Sequence, residues 1–318
     1  MKRRISSNLL VKRISSSPYF SPSFFKLEKN KIENESNAQM LPFNSEIMAD
    51  ILITNTHTDL SQISHDQLNA CKLMIHPNSG YDNFKAKFVK EANFPIVIGN
   101  PIRAHAVVDY ILSALYTHYS PIPSVAVWSE KRQWPRKLLK ELNILILGQG
   151  HIGSILKTCL SGQSASLIFF DPYLEATDLN LKNVDVVILA CSLNELNYQI
   201  INKEFLLQLN DNFLLINSAR GGLVKTSDLL EVLTKKSDSY AILDVFENEP
   251  ADFSIFSSLQ NILVSSHIAG VYQQIDTTTI EFEATIINDF IQLSKTKYEK
   301  KYSKMILKNR LFQDDFLI

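Results

Sequence analysis

The stretch NILILGQGHIGSILKTCLSGQSASLIFFD, residues 143–171, decides the fold. A short apolar run meets a glycine-spaced turn, then an amphipathic run, then a second apolar run that closes on an acid. This order predicts strand, turn, helix and strand, with each residue type suited to holding a dinucleotide. Gly148 permits a sharp turn off the strand, Gly150 leaves a pyrophosphate room beside the backbone, and Gly153 lets the helix press on the sheet. His151 and Ile152 open the helix, whose N-terminal amides and partial positive charge suit phosphates. Asp171 lies 23 residues beyond Gly148, where a carboxylate can take both hydroxyls of an adenine ribose. No arginine or lysine follows until Lys182, so nothing nearby neutralises a 2′-phosphate and the pattern favours NAD over NADP. An ordinary strand-turn-helix can carry the same glycines by chance; the agreement of strand, helix and distant acid favours the dinucleotide.

Working outward, 318 residues can bury a large core and suggest two domains. With 45% hydrophobic and 20% charged residues, the composition is that of an ordinary soluble globular chain. A formal charge of −1 gives no general electrostatic reason to bind nucleic acid or an acidic membrane surface. Cys71, Cys159 and Cys191 lie far apart, with no CxxC pair and no cysteine-histidine cluster, so neither a disulfide framework nor a metal site is expected. A reducing, cytoplasmic compartment fits best. No apolar run approaches the roughly eighteen residues that span a bilayer. The first 27 residues combine Lys2, Arg3, Arg4, Lys12, Arg13 and Lys26 with many serines and no acid, as mitochondrial transit peptides do. The competing reading, that residues 8–14 (NLLVKRI) are a strand, is preferred, because removing them would take away the domain's opening strand.

Before residue 100, strands are expected at 8–14, 51–54, 72–76 and 95–98, a small α/β unit; residues 28–40 read as a solvated loop or frayed helix. Asn78, Ser79 and Gly80 form a tight turn after the third of these strands, either a plain turn or one whose amides hold a carboxylate. Val107, Val108, Ile111, Leu112, Leu115 and Tyr116 mark one face of a helix from Ala106 to near Pro121, and a loop with a short helix fills 121–142. After Asp171, apolar runs at 184–190, 213–217, 240–246 and 261–267 alternate with helical stretches at 202–209 and 223–235, the pattern of a parallel, doubly wound sheet. Ile280, Ala284, Ile287 and Ile291 share a helix face, and KTKYEKKYSK after them reads as a solvated helix end.

In such sheets ligands bind beyond the carboxyl ends of the strands. Cys191 and Ser192, Arg220, Asp244 with Glu249, and His267 all follow strands directly. Arg220 to Asp244 is 24 residues and Asp244 to His267 is 23, about one strand-plus-helix unit each, which brings them to one rim. Singly, each has an ordinary structural reading: a surface ion pair for the arginine, a buried hydrogen-bonded core residue for the histidine, a turn cap for Glu249. Glu247 is expected to face solvent.

GQGHIG with FFDPY, INSARGG, LDVFENEP and SSHIAG, in this order and at these distances, resemble the motifs of the D-isomer-specific 2-hydroxyacid dehydrogenases; GYDN and the VVDYILSAL helix resemble that family's substrate-domain loop and linking helix. The resemblance implies an α/β chain of two doubly wound parallel-sheet domains. A Rossmann NAD-binding domain at 102–284 would be inserted in a flavodoxin-like substrate domain made of 1–101 and 285–318. It implies NAD as cofactor, with Ser218 joining Gly148, Gly150, His151, Ile152, Gly153, Asp171, Cys191, Ser192 and Asp244 in holding it, Asp244 at the nicotinamide carboxamide. Arg220 would pair with the substrate carboxylate and polarise its C2 carbonyl, His267 would deliver and retrieve the proton, and Glu249 would keep the imidazolium available. Asn78, Ser79 and Gly80 would hold the substrate carboxylate. The product would be a D-2-hydroxy acid and the assembly a homodimer.

Several positions depart from the family pattern. His151 stands where arginine is frequent, CSLNELN replaces the usual proline and threonines, Asp109 stands for glutamate, and Ser266 stands where proline commonly precedes the histidine. Ser266 is shared with erythronate-4-phosphate dehydrogenases, which SSHIAG and AVVDYILSAL also resemble; against that substrate, the chain is expected to be too short for their extra C-terminal region. Arg103 is either a solvated loop residue or a contact for a second anionic group of the substrate. The rival from another class is an NAD(H)-responsive binding protein resembling the C-terminal-binding-protein corepressors; the set Arg220, Glu249 and His267 favours turnover.

Overall fold

An apolar run with no polar alternation can be a strand only where helices cover both of its faces. Ile51–Ile53, Leu73–His76, Val186–Leu189 and Leu214–Asn217 meet that condition, every residue in them being buried. The structure is a computed structural model that describes residues 8–170, 180–312 and 316–317. The chain divides into two compact units, Met1–Arg103 with Val271–Ile318, and Ala104–Gly270.

The first unit opens with β1 (Leu9–Arg13), α1 (Phe24–Glu35), β2 (Ala38–Met40), β3 (Ile51–Ile53), α2 (His65–Ala70), β4 (Leu73–His76), α3 (Ala86–Glu91) and β5 (Ile96–Ile98). Its sheet is parallel throughout, in the order β2-β1-β3-β4-β5, so the direction of winding reverses between β1 and β3. This is the flavodoxin-like order. Residues 28–40 are not a solvated loop. They belong to α1 and β2, because Phe24 and Ile32 reach the core and Glu28 is drawn in by Arg13, whose Nε and Nη2 donate to Glu28 Oε1 at 2.9 and 2.7 Å. The partner charge lies fifteen residues earlier, on β1, where local composition does not register it.

The helix α4 (Asn100–Tyr119) begins six residues before Ala106, the start expected from the sequence. Pro101, whose fixed φ suits a first turn, supports the early start. After an irregular stretch and a 3-10 turn at Leu139–Glu141, the second unit runs through β6 (Asn143–Leu147), α5 (His151–Leu160), β7 (Ser166–Phe170), β8 (Val186–Leu189), α6 (Lys203–Gln208), β9 (Leu214–Asn217), α7 (Thr226–Lys235), β10 (Tyr240–Leu243) and β11 (Ile262–Val264). All six strands are parallel, in the order β11-β10-β9-β8-β6-β7. Side chains two apart share a face, and the core divides accordingly. Ile144, Ile146, Val186, Ile188, Leu214 and Ile216 pack with α4 and α5, while Leu145, Leu147, Val187, Leu189 and Leu215 pack with α6 and α7. Each such side chain contributes about 1.5–3 kcal/mol on leaving water.

The chain returns to the first unit as α8 (Ile275–Gln292) and α9 (Lys295–Lys301). The return lies at Val271 rather than near 285, since α8 packs along α1 and carries Glu283 Oε1 to within 2.6 Å of Arg13 Nη2. KTKYEKKYSK is more than a solvated helix end. It forms α9, with Ser294 accepting from Lys297 N as its cap and with Tyr298 and Tyr302 buried in the core. Among the described residues no helix is long and apolar enough to cross a membrane.

Candidate active site

The second unit's winding reverses between β6 and β8, and the loops beyond these two strands meet there. Gly148 follows β6 at φ +108°, and a Cβ on it would lie 2.8 Å from the backbone of both Ala190 and Cys191, just past β8. Only glycine fits both demands. A Cβ on Gly153 would reach Gly148 O at 2.2 Å, so α5 starts hard against the turn that feeds it. Gly150 is different: nothing lies within 4 Å of where its Cβ would be, and it is the N-cap of α5. The face of the turn at Gly150 is open, as a pyrophosphate requires.

His151 and Ile152 form the first turn of α5; His151 is exposed and lines a groove of about 450 Å3 with His105, Ser154 and Thr158. Cys191 and Ser192 are half-buried beyond β8, and their loop is braced from within, Asn197 Nδ2 donating to Ser192 O at 2.7 Å and Asn194 N to Asn197 Oδ1 at 2.8 Å. Two asparagines of CSLNELN, Asn194 and Asn197, thus fix the loop. Ser218, directly after β9, has its Oγ buried with no hydrogen-bond partner. The open cradle, the helix N-terminus and the orphaned hydroxyl fit a bound dinucleotide. Asp171 lies outside the described residues. Among the described residues no group of three His, Cys, Asp or Glu is placed to hold a metal ion.

Along the same carboxyl-end rim, Arg220, Asp244 and His267 follow β9, β10 and β11 by three, one and three residues. Arg220 is half-buried, and its Nη1 donates to Ala219 O at 2.7 Å, which anchors the guanidinium beside its own strand end. His267 Nδ1 lies 2.7 Å from Glu249 Oε2, and Glu249 Oε1 accepts from Phe246 N at 3.0 Å. One carboxylate therefore holds both its own turn and the imidazole. The His267 side chain is 55% exposed, open enough to meet a substrate. Its φ is +54°, an uncommon value for a residue with a Cβ, and His267 N donates to Asp244 O at 2.8 Å to hold it there.

Asp244 is only 1% exposed, and its charge is met by three donors from one turn. Oδ1 accepts from Ser265 Oγ at 2.6 Å and Ile268 N at 2.8 Å, and Oδ2 from Ala269 N at 2.8 Å. Its first task is to bracket the segment that carries His267. Ser265 Oγ is also 2.8 Å from Tyr110 OH on α4. Glu247 does not face solvent as expected: Oε1 accepts from Gln199 Nε2 at 2.8 Å and Oε2 from Thr226 N at 2.7 Å, at the start of α7. The unsatisfied first-turn amide of a helix recruits it.

In the first unit, Asn78, Ser79 and Gly80 follow β4 on that unit's own carboxyl-end rim. His76, fully buried, clamps the loop: Nε2 lies 2.7 Å from Gly80 O and Nδ1 3.0 Å from Thr54 Oγ1. A tautomer with the proton on Nε2 satisfies both. Arg103 Nη1 donates to Pro77 O at 3.1 Å from the other side of the loop. Sequence reading missed His76, although a histidine ending the apolar run LMIH is a signal for a buried clamp. Tyr110 and Gln199 carry no local signal, their partners lying 155 and 48 residues away.

Residues 124–269 match the family model described as "D-isomer specific 2-hydroxyacid dehydrogenase, NAD binding domain". The chain is 29% identical over 266 residues to an erythronate-4-phosphate dehydrogenase of Wigglesworthia glossinidia brevipalpis, covering 79% of this chain and 65% of the relative. It is 23% identical over 237 residues to a D-3-phosphoglycerate dehydrogenase of Methanocaldococcus jannaschii, covering 69% of this chain and 45% of that protein. Among solved structures it is similar to D-lactate dehydrogenase from Aquifex aeolicus complexed with NAD and lactic acid, with a TM-score of 0.69 at 16% identity over 94% of this chain and 99% of that one. At that identity the likeness speaks for the fold.

Proposed function

We propose that the chain, whose residues 124–269 match the NAD-binding domain of the D-isomer-specific 2-hydroxyacid dehydrogenases, interconverts a small 2-keto acid and its D-2-hydroxy acid by hydride transfer with NAD. The observation that carries the reading is the His267–Glu249 pair, 2.7 Å apart, on the rim where Arg220 also ends its strand. When bound, the cofactor supplies or accepts the hydride at C4 of its nicotinamide. Arg220, permanently charged and forked, pairs with the substrate carboxylate and draws electron density from the C2 carbonyl. Glu249 occupies Nδ1 of His267, so Nε2 carries the proton given to the carbonyl oxygen as C2 gains the hydride. In the oxidative direction the same nitrogen takes the proton back. In the first unit, Asn78 and the amides of Ser79 and Gly80 are the candidates for binding a carboxylate.

Gly150, with its open face, and Ser218, with its orphaned hydroxyl, support the cofactor assignment. The second unit also bears an exposed apolar run, with Ile122 and Trp128 at 89% and 83% exposure, which supports a homodimer built on this segment and α4. Light scattering tests that part: the expected mass is two chains for the wild type and one for Trp128→Ser, and a monomeric wild type refutes it. We assign the protein to a reducing cytoplasm, where the thiols of Cys71, Cys159 and Cys191 stay reduced.

The activity test mixes purified protein, NADH and a panel of 2-keto acids. Substrate-dependent loss of reduced-nicotinamide absorbance is expected, cut at least about a hundredfold by Arg220→Ala and by His267→Ala while NADH still binds. NADH binding without consumption on any acid would sink the dehydrogenase reading in favour of a cofactor-sensing role.

A further inference from the structure

Tyr110 packs its ring against the core beneath α4, but its hydroxyl reaches 155 residues along the chain, to Ser265 Oγ at 2.8 Å. The hydrogens assign the roles. A serine hydroxyl carries one hydrogen, and that of Ser265 goes to Asp244 Oδ1 at 2.6 Å, an oxygen that also accepts from Ile268 N. Only lone pairs of Ser265 are left to face the phenol, so Tyr110 is the donor. Burial keeps the phenol protonated by raising its pKa, the Ser265 bond opposing that rise and Asp244 adding to it. The donors therefore run one way, from Tyr110 through Ser265 to Asp244, and each bond polarises the next.

The series ends where the imidazole is carried. β11 lies at the edge of its sheet and pairs with β10 on one side. The turn that leaves β11 is tied back to the end of β10: Ser265 N donates to Leu243 O, His267 N to Asp244 O, and Ile268 N and Ala269 N to the Asp244 carboxylate. All of those ties return to two adjacent residues, and an aspartate carboxylate turns easily about its terminal bond. Tyr110 adds a tie to a third element, α4, and reaches the carboxylate from outside the turn.

We propose that Tyr110 is a positioning residue for His267: its hydroxyl, acting through Ser265, holds the Asp244 carboxylate in the rotation at which the turn 265–269 aims the imidazole. The consequence for turnover rests on the dehydrogenase reading, whereas the consequence for the turn rests on the hydrogen bonds alone.

The test uses the full chain with NADH and the 2-keto acid it reduces fastest. Tyr110→Phe keeps the ring and removes only the donor. It is expected to lower kcat by at least about threefold while KM for the acid and Kd for NADH stay within about twofold. Ser265→Ala is expected to lower kcat likewise, and the double variant to be no slower than Ser265→Ala, since Tyr110 then has nothing to act through. A tyrosine that merely packs α4 would produce neither the split between kcat and KM nor the non-additivity. A smaller loss of kcat in Tyr110→Phe, a loss that falls on KM instead, or losses that multiply in the double variant overturns the proposal.

Hydrogen exchange read by mass spectrometry decides the matter if Ser265→Ala does not fold, or if no 2-keto acid consumes NADH and the dehydrogenase reading itself fails. Residues 265–269 should exchange at least about fivefold faster in Tyr110→Phe than in the wild type, with β8 unchanged. A smaller rise, or one shared with β8, removes Tyr110 from the control of the turn.

Discussion

Gly221→Ala tests whether the arginine loop and the histidine's carboxylate are one mechanical unit. A Cβ on Gly221 would lie 1.8 Å from the Phe246 carbonyl carbon, 1.9 Å from its oxygen and 2.5 Å from Glu247 N. Ordinary carbon–carbon contact begins near 3.5 Å, so the backbone at 246–247 must retreat by about 1.5 Å or the arginine loop must lift by as much. Neither movement is local. Phe246 N holds Glu249 Oε1 at 3.0 Å, and Glu249 Oε2 holds His267 Nδ1 at 2.7 Å, so a shift of that size breaks at least one of the two bonds. Overpacking costs about 1–3 kcal/mol of stability, and losing the histidine's orientation costs about ten- to a hundredfold in turnover. Gly222→Ala is the control, because its Cβ would meet only side-chain ends, Leu193 Cδ2 at 2.9 Å and the Tyr198 ring at 3.3 Å. Urea unfolding and steady-state kinetics on the two variants should separate them, with kcat falling in the first far more than in the second. If Gly221→Ala keeps kcat within threefold of wild type, the coupling of 220–222 to 246–249 is wrong.

Gly150→Ala should unfold like the wild type, since nothing lies within 4 Å of the new Cβ, yet bind NADH about tenfold more weakly by fluorescence titration; unchanged affinity would mean that no phosphate rests there. Asp244→Asn presents an amide N–H to a donor that now meets an oxygen, so a loss of about 2–3 kcal/mol in denaturant unfolding is expected together with reduced kcat, and a variant of full stability would show the bracket to be unimportant. In the buried Arg13–Glu28–Glu283 group, burial raises the Glu283 carboxyl from 4.5 to about 8, with Arg13 opposing and Glu28 reinforcing the shift. The folded state therefore keeps a proton that the unfolded chain releases. The associated stability is complete below about 4.5 and lost as pH rises to about 8, at up to about 1.4 kcal/mol per pH unit. Glu283→Gln should flatten that slope; parallel stability–pH curves for the two proteins would exclude the retained proton.

What was legible in the sequence is what local pattern dictates. The apolar runs at 51–54, 184–190 and 213–217 became β3, β8 and β9 because a strand covered on both faces needs no partner in sequence to declare itself. His267 and Glu249 were named together from their motifs, and the structure brings them to hydrogen-bond distance. The errors came where a polar residue's meaning lies far away. Glu28 looked solvated until Arg13 supplied its charge, Glu247 looked solvated until the first turn of α7 supplied its amide, and α9 looked like a solvated helix end although Tyr298 and Tyr302 fasten it. Composition reports hydrophilicity, whereas burial of a charge depends on a partner that only the fold delivers.

Asp244 shows how one residue can serve both the fold and the proposed chemistry. An ionised carboxylate has about four acceptor positions, and three are spent on Ser265, Ile268 and Ala269. At most one remains, on Oδ2, so any grip on a nicotinamide carboxamide reduces to a single hydrogen bond. The larger effect is mechanical. His267 sits at φ +54°, a conformation costing about 1–3 kcal/mol that persists only where neighbours impose it. Here the Asp244 carbonyl takes the histidine's own amide while the carboxylate takes the two amides that follow. Proline before the histidine would restrict that backbone covalently; with Ser266 in its place, the carboxylate does the restricting. The imidazole's aim then depends on a carboxylate that never touches it.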